Sequence, residues 1–323
     1  MCKQCSNSFS ISYKRKPVLW VQYIDGTPMR KLADQHKISP AKIHDRLLGE
    51  MDKLPENTWV SSEYCERWSG RLNVDGKYIA VKGYDKKIPF IYGIDFLTHD
   101  IPVGMLAPSE NEMSFTKFFR LLKACRYPLQ IVICDDAAAI KPALVKYFPK
   151  ARMQLCHVHY LENIRQRLQV RTLPKYQTFF SHLAHAFRRE HHPAKRDAML
   201  RGLFESWGKR DFTLKLLMIE IMSRRAELFA YNFKMDHCPH TNNLIESFNS
   251  HMQARLKSIK GFQSFKTAER WLNAWMLRRR TKPFTDCGVP FKHLNGKTSL
   301  EMTLRKNVNF PLIPGIQAPN TER

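Results

Sequence analysis

The 323-residue sequence predicts an α/β fold, and three observations support this prediction. Three segments between residues 71 and 106 have the β-branched residues and the turn spacing of antiparallel strands. The segments that follow, up to residue 155, alternate between helical periodicity and short apolar runs, as in an α/β sheet. From about residue 159 to residue 234 the pattern is almost wholly helical and strongly basic. The chain therefore combines a sheet with a large helical segment.

The order of the predicted elements narrows the fold class further. Strands are predicted over residues 71–81, 88–97 and 101–106, and together they form an antiparallel meander. Ser109 and Glu112 have the spacing of a capping box, which predicts the start of an amphipathic helix. The elements that follow are a buried strand, a helix and a second strand, predicted over 129–134, 140–148 and 151–155. Three antiparallel strands, then helix, strand, helix and strand, is the order of an RNase H-like fold.

Residues 16–56 have the pattern of a helix-turn-helix DNA-binding unit. A short helix over 29–35 precedes a turn in which Ser39 is the expected N-cap and Pro40 the first residue of the next helix. An ordinary three-helix packing unit would show the same pattern. The outward-facing positions of the last helix, which would contact DNA, are Lys42, His44 and Arg46.

The charge of the chain favours a polyanionic partner. There are 53 Lys and Arg against 29 Asp and Glu, which gives a net charge of +24 and a pI near 9.8. Lys and Arg side chains that contact phosphates release condensed counterions, so this surface suits nucleic acid. A ribosomal or merely basic protein is the alternative. No apolar run approaches the roughly 20 residues of a membrane span, so we expect no membrane partner and a cytoplasmic, nucleoid-associated protein.

The cysteines point to metal or to free thiols rather than to disulfides. Eight are present in a chain without the apolar stretch of a signal peptide at its start. Cys2 and Cys5 resemble the second half of a zinc ribbon, and we predict a partial ribbon over residues 1–15. A structural zinc ion needs four ligands, and this pair supplies two. Another chain or a distant histidine would have to complete the site, unless the chain starts inside a longer ancestor.

Three carboxylates lie where they could hold metal ions. Asp75 is within the first strand, and Asp135 directly follows the apolar strand 129–134. Strand ends are where sites form in open α/β sheets. Glu246 lies on a helix among apolar neighbours. A carboxylate in such surroundings needs a cation as a partner. The alternative is that Glu246 is simply exposed, as most helical glutamates are. A pair of metal ions roughly 3.5–4 Å apart activates the attacking oxygen and stabilises the leaving oxygen in phosphodiester chemistry.

Four fragments occur in a fixed order along the chain. They read NVDG at 73–76, ICDD at 133–136, QLCHVH at 154–159 and TNNLIESFN at 241–249. Together they resemble the DDE transposases of the Mutator-like superfamily and their bacterial insertion-sequence relatives, over about residues 71–280. By this resemblance, the residues that bind Mg²⁺ or Mn²⁺ and form the catalytic triad are Asp75, Asp135 and Glu246.

The resemblance also implies a domain organisation. An RNase H-like core would comprise residues 57–160 and 237–282, with an all-helical insertion at 161–236 between its two parts. The helix-turn-helix unit would precede this core, and a Pro- and Gly-rich tail with little regular structure would follow it at 283–323.

The function implied by the resemblance is DNA transposition. The protein would bind double-stranded DNA at terminal inverted repeats, cleave it with the help of metal ions and join the freed end to target DNA. Joining two ends at once implies a homo-oligomer, by family analogy. The alternatives are a DNA-binding regulator derived from a transposase, a nuclease or resolvase without strand transfer, and a truncated or domesticated copy without transposition activity.

Several other residues allow two interpretations. Asp136 stands where the family usually has a small residue, and we expect it to point away from Asp135 and cap the following helix. Asp95 and Asp100 are expected at a turn or sheet edge. Trp207 could stack on an unpaired base, although a packing role is the simpler interpretation.

Cys156 and His159 form a Cys-x-x-His pair that resembles one recurring in the superfamily. The pair could bind zinc only if Cys238, His237 or His240 approached it. Otherwise these side chains would pack beside the site and position the helix that follows.

Overall fold

The computed structural model describes residues 18–136, 138–232 and 238–316. The predicted partial zinc ribbon at 1–15 and His237 therefore lie outside the described residues. Of the helices within these ranges, none is both long enough and apolar enough to span a membrane.

A five-stranded mixed sheet forms the centre of the described chain, with strand order β3-β2-β1-β4-β5. The first three strands pair in antiparallel fashion, whereas the fourth is parallel to both the first and the fifth, which confirms the predicted meander and the strands after it. The third strand starts later than predicted because Pro102 has no N–H to donate to a strand ladder. The strands are β1 (Arg71–Ile79), β2 (Ile88–Asp95), β3 (Gly104–Leu106), β4 (Ile131–Cys134) and β5 (Arg152–Leu155).

Helices precede, surround and follow the sheet, and they are joined by short 3-10 turns and by one π-helical turn at Phe204–Gly208. In chain order they are α1 (Leu19–Asp25), α2 (Met29–His36), α3 (Pro40–Met51), α4 (Asn57–Tyr64), α5 (Glu112–Ala124), α6 (Ile140–Tyr147), α7 (His157–Arg167), α8 (Gln177–Ala186), α9 (Pro193–Leu203), α10 (Phe212–Ser223), α11 (Arg225–Leu228), α12 (Asn243–Ile259), α13 (Phe265–Thr281) and α14 (Ser299–Thr303).

The first three helices form as their sequence predicts. The side chain of Ser39 caps α3 by accepting a hydrogen bond from the backbone N–H of Lys42. Lys37 adopts the left-handed conformation in the turn before it. These helices share one hydrophobic core with the sheet and α13, and the indole N–H of Trp20 donates to the carbonyl of Pro314 at 3.0 Å. They are therefore packed onto the rest of the chain.

Strand β4 lies between two hydrophobic cores because its side chains alternate in direction. Val132 and Cys134 pack into the core formed by the sheet, α5, α12 and α13. Ile131 and Ile133 pack into a second core, which is formed by α7 to α11. The helical segment thus packs directly on β4, the strand that precedes Asp135.

Two local predictions were wrong. The N-cap of α5 is Asn111, whose side chain accepts from the N–H of Ser114 at 2.9 Å, so Ser109 and Glu112 form no capping box. Asp136 does not cap α6; it forms an ion pair with Arg224 of the helical segment instead. The described part of the tail, up to residue 316, holds little regular structure, as predicted: a three-residue 3-10 turn and the five-residue helix α14, which has a capping box of its own.

Candidate active site

The register of two parallel strands places Asp75 beside Asp135. Asn73 of β1 is paired with Ile133 of β4, and each aspartate lies two residues beyond its member of this pair. Side chains two residues apart on a strand point to the same face. The two carboxylates predicted from separate segments therefore converge at one edge of the sheet.

Asp75 is half-buried and held by two donors. Its Oδ1 accepts from the N–H of Gly76 at 2.8 Å, and its Oδ2 accepts from the side-chain amide of Asn249 at 2.6 Å. Burial, followed by the negative charge of Asp135, raises the pKa of Asp75 to about 6. A cation bound nearby would stabilise the ionised form of Asp75.

Helix α12 presents polar side chains to β1 from one of its faces. The residues at the spacing of this face are Asn242, which caps the helix, Glu246 and Asn249. The side-chain amide of Asn73 donates to Asn242 Oδ1 at 2.9 Å, and the hydroxyl of Tyr92 donates to Asn249 Oδ1 at 2.9 Å. These bonds fix the first turns of the helix, and with them the position of Glu246.

His159 connects two of the predicted ligands. Its Nδ1 lies 2.7 Å from Asp135 Oδ1, and its Nε2 lies 3.7 Å from Glu246 Oε1. The side chain of Asp135, and then that of Cys156, raises the pKa of His159 to about 11. All three predicted triad residues therefore interact. The charge of Asp135 raises the pKa of Asp75, and the ring of His159 lies between Asp135 and Glu246.

The donor atoms of this cluster fit a divalent cation. Asp135 Oδ1, His159 Nδ1 and Glu246 Oε1 are buried from solvent and make no hydrogen bond. The close contact between His159 and Asp135 does not change this, because the ring nitrogen is not aligned with the oxygen as a hydrogen bond requires. Buried polar atoms without partners are costly, and coordination of a metal ion would satisfy them.

Sequence reasoning assigned no role to Glu110, which lies close to the cluster. A side-chain carbon on Gly76 would collide with its carboxylate, so the glycine allows Glu110 to lie against β1. Burial raises the pKa of Glu110, and the charge of Asp135 adds to this. A glycine inside a strand is a known sign of such a close approach.

Asn242 and Asn249 also had no assigned role. Their spacing of four and three residues from Glu246 is the signal that could have placed them on its helix face.

The thiol of Cys156 approaches the same cluster. Its sulfur accepts from the backbone N–H of Asn242 at 3.3 Å. Within the described ranges, donor atoms of Asp135, Cys156 and His159 all lie within 4.8 Å of one another. The third member of the group is therefore Asp135 rather than Cys238 or His240.

Asp95 and Asp100 close the turn after β2, which confirms the prediction of turn residues: the N–H of Asp95 donates to the carbonyl of Asp100, and Asp95 Oδ1 accepts from the N–H of Thr98. Both are fully buried. Asp95 accepts from the hydroxyl of Tyr127 and from the backbone and side chain of Ser69, each at 2.8 Å. Asp100 is paired with Arg280 of α13. Asp100 thus lies under α13 and α14, whereas Asp95 holds the turn after β2 in place.

The remaining predicted residues lie apart from the carboxylates. Trp207 is half-buried against the second core, with its ring 6.1 Å from that of Phe179, in agreement with a packing role. On α3, Lys42 and Arg46 are exposed and His44 is partly exposed beside Asp45.

An open groove of about 520 Å³ adjoins the carboxylates. His159, Glu246 and Asn249 line it together with Lys77 of β1 and Lys257 of α12. Lysines beside a cluster of carboxylates suit a phosphate backbone that must approach bound cations.

Known proteins resemble this chain over different ranges. The family model described as "Transposase, Mutator family" matches residues 92–282. The transposase for insertion sequence element IS1201 of Lactobacillus helveticus is 24% identical over 156 residues, which is 47% of this chain and 40% of that protein. A structure of the Mos1 transposase paired-end complex with left transposon end aligns with 71% of this chain and 82% of its own, at 15% identity and a TM-score of 0.22.

Proposed function

We propose a catalytic function on the premise that this chain belongs to the Mutator family of transposases. The proposed activity is metal-dependent cleavage of DNA at the ends of an insertion sequence, followed by transfer of the cleaved strand to target DNA. The observation that carries this proposal is the convergence of Asp75, Asp135 and Glu246, which lie far apart in sequence; Asp135 and Glu246 each keep a buried oxygen that accepts no hydrogen bond.

The strand order supports an RNase H-like core. Three antiparallel strands are followed by two parallel ones, and two of the three carboxylates come from the adjacent β1 and β4. The third comes from α12, which follows the helical segment. This arrangement agrees with the proposed insertion of that segment between the second and third ligands.

The chain's own residues would hold the ligands and the substrate in place. Asp75, Asp135 and Glu246 would supply oxygen ligands of the kind that Mg²⁺ or Mn²⁺ takes. Such ions activate the attacking oxygen and stabilise the leaving one. Asn249 fixes Asp75 through its amide, and His159 keeps Asp135 and Glu246 on one side of the site. No serine or tyrosine nucleophile is needed for water and then a 3′-hydroxyl to attack in line.

Double-stranded DNA is the proposed partner. The exposed basic positions of α3 would read the terminal inverted repeats, and the groove lysines would track phosphates toward the carboxylates. Two ends must be held for joining, so we propose a homo-oligomer as the active form.

The contribution of the groove can be measured by salt dependence. Replacing both Lys77 and Lys257 with alanine should make the negative slope of log K against log salt shallower by about 1.8, since each lost phosphate contact removes about 0.9. Binding of a duplex end would be followed by fluorescence anisotropy. The exposed Lys123 and Lys146, replaced together, serve as a charge-matched control; an equal change in slope there would exclude the groove as the DNA path.

The catalytic proposal is tested by a strand-transfer assay with Mg²⁺ or Mn²⁺ and a fragment that carries the inverted repeats. Joined product is expected from the wild type and from Asp136→Asn, but not from Asp135→Asn. Asp136 is the matched control because it is adjacent in sequence but paired with Arg224. Binding of the ends without joining by the wild type would instead identify a truncated or domesticated DNA-binding derivative. Joining by Asp135→Asn would refute the proposed triad.

A further inference from the structure

Three different donor types converge where β4 and β5 end. Cys134 of β4 is paired with Leu155 of β5, so the residues that follow them, Asp135 and Cys156, lie side by side. His159 is three residues further on, in the first turn of α7, and this spacing returns its ring to the same point. The fold thus brings a carboxylate, a thiol and an imidazole together, with one donor atom of each within 4.8 Å of the others.

The ring of His159 is oriented so that Nδ1 is the nitrogen that faces Asp135. Its Nε2 faces Glu246, whereas Nδ1 faces Asp135 Oδ1 without forming an aligned hydrogen bond. The two atoms form an ion pair 2.7 Å apart, and a cation bound between them would take the place of the proton on Nδ1.

We propose that Asp135, Cys156 and His159 form a binding site for a thiophilic divalent cation such as Zn²⁺. Thiolate and imidazole are ligands that Zn²⁺ takes readily, whereas Mg²⁺ takes oxygen almost alone. Three protein ligands leave a fourth position for water, which can reach the site because the side chains of Asp135 and His159 are 40% and 39% exposed.

The surroundings of Cys156 suit a metal-bound sulfur. The backbone N–H of Asn242 donates to it, and such donors orient ligands and stabilise the negative charge of a thiolate. Cys134, the other thiol nearby, points to the opposite face of the sheet and is fully buried in the main core. The site therefore depends on a single sulfur.

The site shares Asp135 with the carboxylate triad. Zn²⁺ would then compete with Mg²⁺ for this carboxylate and inhibit strand transfer; this consequence rests on the proposed function, whereas the binding site itself does not.

The test uses Co²⁺ as a spectroscopic probe in the full chain. Cys2→Ser and Cys5→Ser are introduced first, because these two cysteines, three residues apart in sequence, could bind Co²⁺ themselves. We expect one Co²⁺ per chain with a sulfur-to-cobalt charge-transfer band, displaced by Zn²⁺. Cys156→Ser should abolish the band, and His159→Asn should weaken Co²⁺ binding by about 10-fold or more. Cys287→Ser, at a half-buried cysteine in the segment after α13, should change neither.

Absence of the band in the parent protein, or its persistence in Cys156→Ser, would overturn the proposal. Loss of the band in Cys287→Ser would do so as well, because it would assign the thiolate elsewhere. Strand transfer with Mg²⁺ is measured on the same preparation before Co²⁺ is added. A band without strand transfer supports the metal site and counts against the proposed function. Strand transfer without a band supports the proposed function and counts against the metal site.

Discussion

Acidic residues occupy two regions of the same sheet, and their surroundings differ in kind. In the first region, Asp100 is fully buried, and its oxygens accept from Arg280 at 2.8 and 2.9 Å, from Ser299 at 3.0 Å and from Thr303 at 2.5 Å. In the second region, Asp135 and Glu246 each keep a buried oxygen without a hydrogen bond. Asp100 has its hydrogen bonds within the protein, whereas Asp135 and Glu246 share only the nearby His159 ring and keep oxygens that could bind a cation.

The difference follows from the cost of burying charge. A buried carboxylate is tolerated when a cation and further donors compensate it, and its partner becomes indispensable once the pair is formed. Around Asp75 and Glu110, burial raises the pKa of both carboxyl groups, and the negative charge of Asp135 adds to this. The second region is thus poised for cations at the expense of its own stability.

The largest expected effect is on activity and concerns Glu246. Glu246→Gln should lower the rate of strand transfer by about 10⁴-fold or more, which corresponds to roughly 5.5 kcal/mol of activation free energy. Its unfolding free energy in urea should stay within about 0.5 kcal/mol of the wild type, as for most surface substitutions. Glu112→Gln is the control, since Glu112 also lies in the first turn of a helix but is exposed. Comparable activity losses in both variants would contradict the comparison.

The next largest effect is on stability and concerns the first region. Arg280→Met should lower the free energy of unfolding by about 3–5 kcal/mol, because it leaves Asp100 as an unpaired buried charge. Arg278→Met, two residues earlier on α13, breaks a partly exposed pair with Asp25 and should cost about 1 kcal/mol or less. Urea denaturation of both variants measures the contrast. Equal losses would mean that the buried pair contributes no more than a surface pair.

A smaller effect is expected from two histidines in contrasting surroundings. Burial lowers the pKa of His157 to about 3, below its ordinary value of 6.5, whereas His159 in the candidate site has a raised pKa. His157 Nε2 donates to the carbonyl of Leu228 at 2.5 Å; this bond favours the charged ring, but burial outweighs it and the neutral ring is the stable form. The folded protein binds fewer protons here than the unfolded chain. The stability contribution is therefore complete above pH 6.5 and is lost as the pH falls toward 3.

Between pH 6.5 and pH 4.5, His157 alone should remove about 2–3 kcal/mol of unfolding free energy, at roughly 1.4 kcal/mol per pH unit. His157→Phe should flatten the pH dependence by this amount, and Leu228 would keep a donor in Gln154. The measurement is urea denaturation of both proteins across this range. Parallel curves for the two proteins would show that His157 is not buried in its neutral form.

Much of the candidate site follows from the sequence, because local signals are strong there. Asp75 and Asp135 are attached to apolar strands whose ends must meet in an α/β sheet, and the order of the four fragments identifies Glu246. The sequence could not separate these carboxylates from Asp95 and Asp100. That distinction depends on donors that arrive through tertiary structure, such as Arg280, 180 residues along the chain from Asp100.

Other features depend on shape rather than on local pattern. Glu110 reaches the cluster only because Gly76 has no side chain, and this requires knowing which loop crosses β1. The N-cap of α5 is a choice between neighbouring polar residues, and Asn111 is favoured over Ser109 by its position directly before the first helical turn. Asp136 would have been a plausible cap, but Arg224 offers a stronger, charged partner from the helical segment.

The smallest predicted effect tests whether the candidate site also needs internal support. Asn249→Ala removes the amide that donates to Asp75 and the acceptor for the hydroxyl of Tyr92. Strand transfer should fall by about 10- to 100-fold, the range found when groups that orient metal ligands are removed. Gln253→Ala, one turn further along the same groove, is the control and should change the rate little. If excess Mg²⁺ restores the rate of Asn249→Ala, the amide of Asn249 acts by positioning the ligand Asp75. A loss that Mg²⁺ leaves unchanged would assign Asn249 to the substrate instead. Asp75 would then be held in place without help from the amide of Asn249.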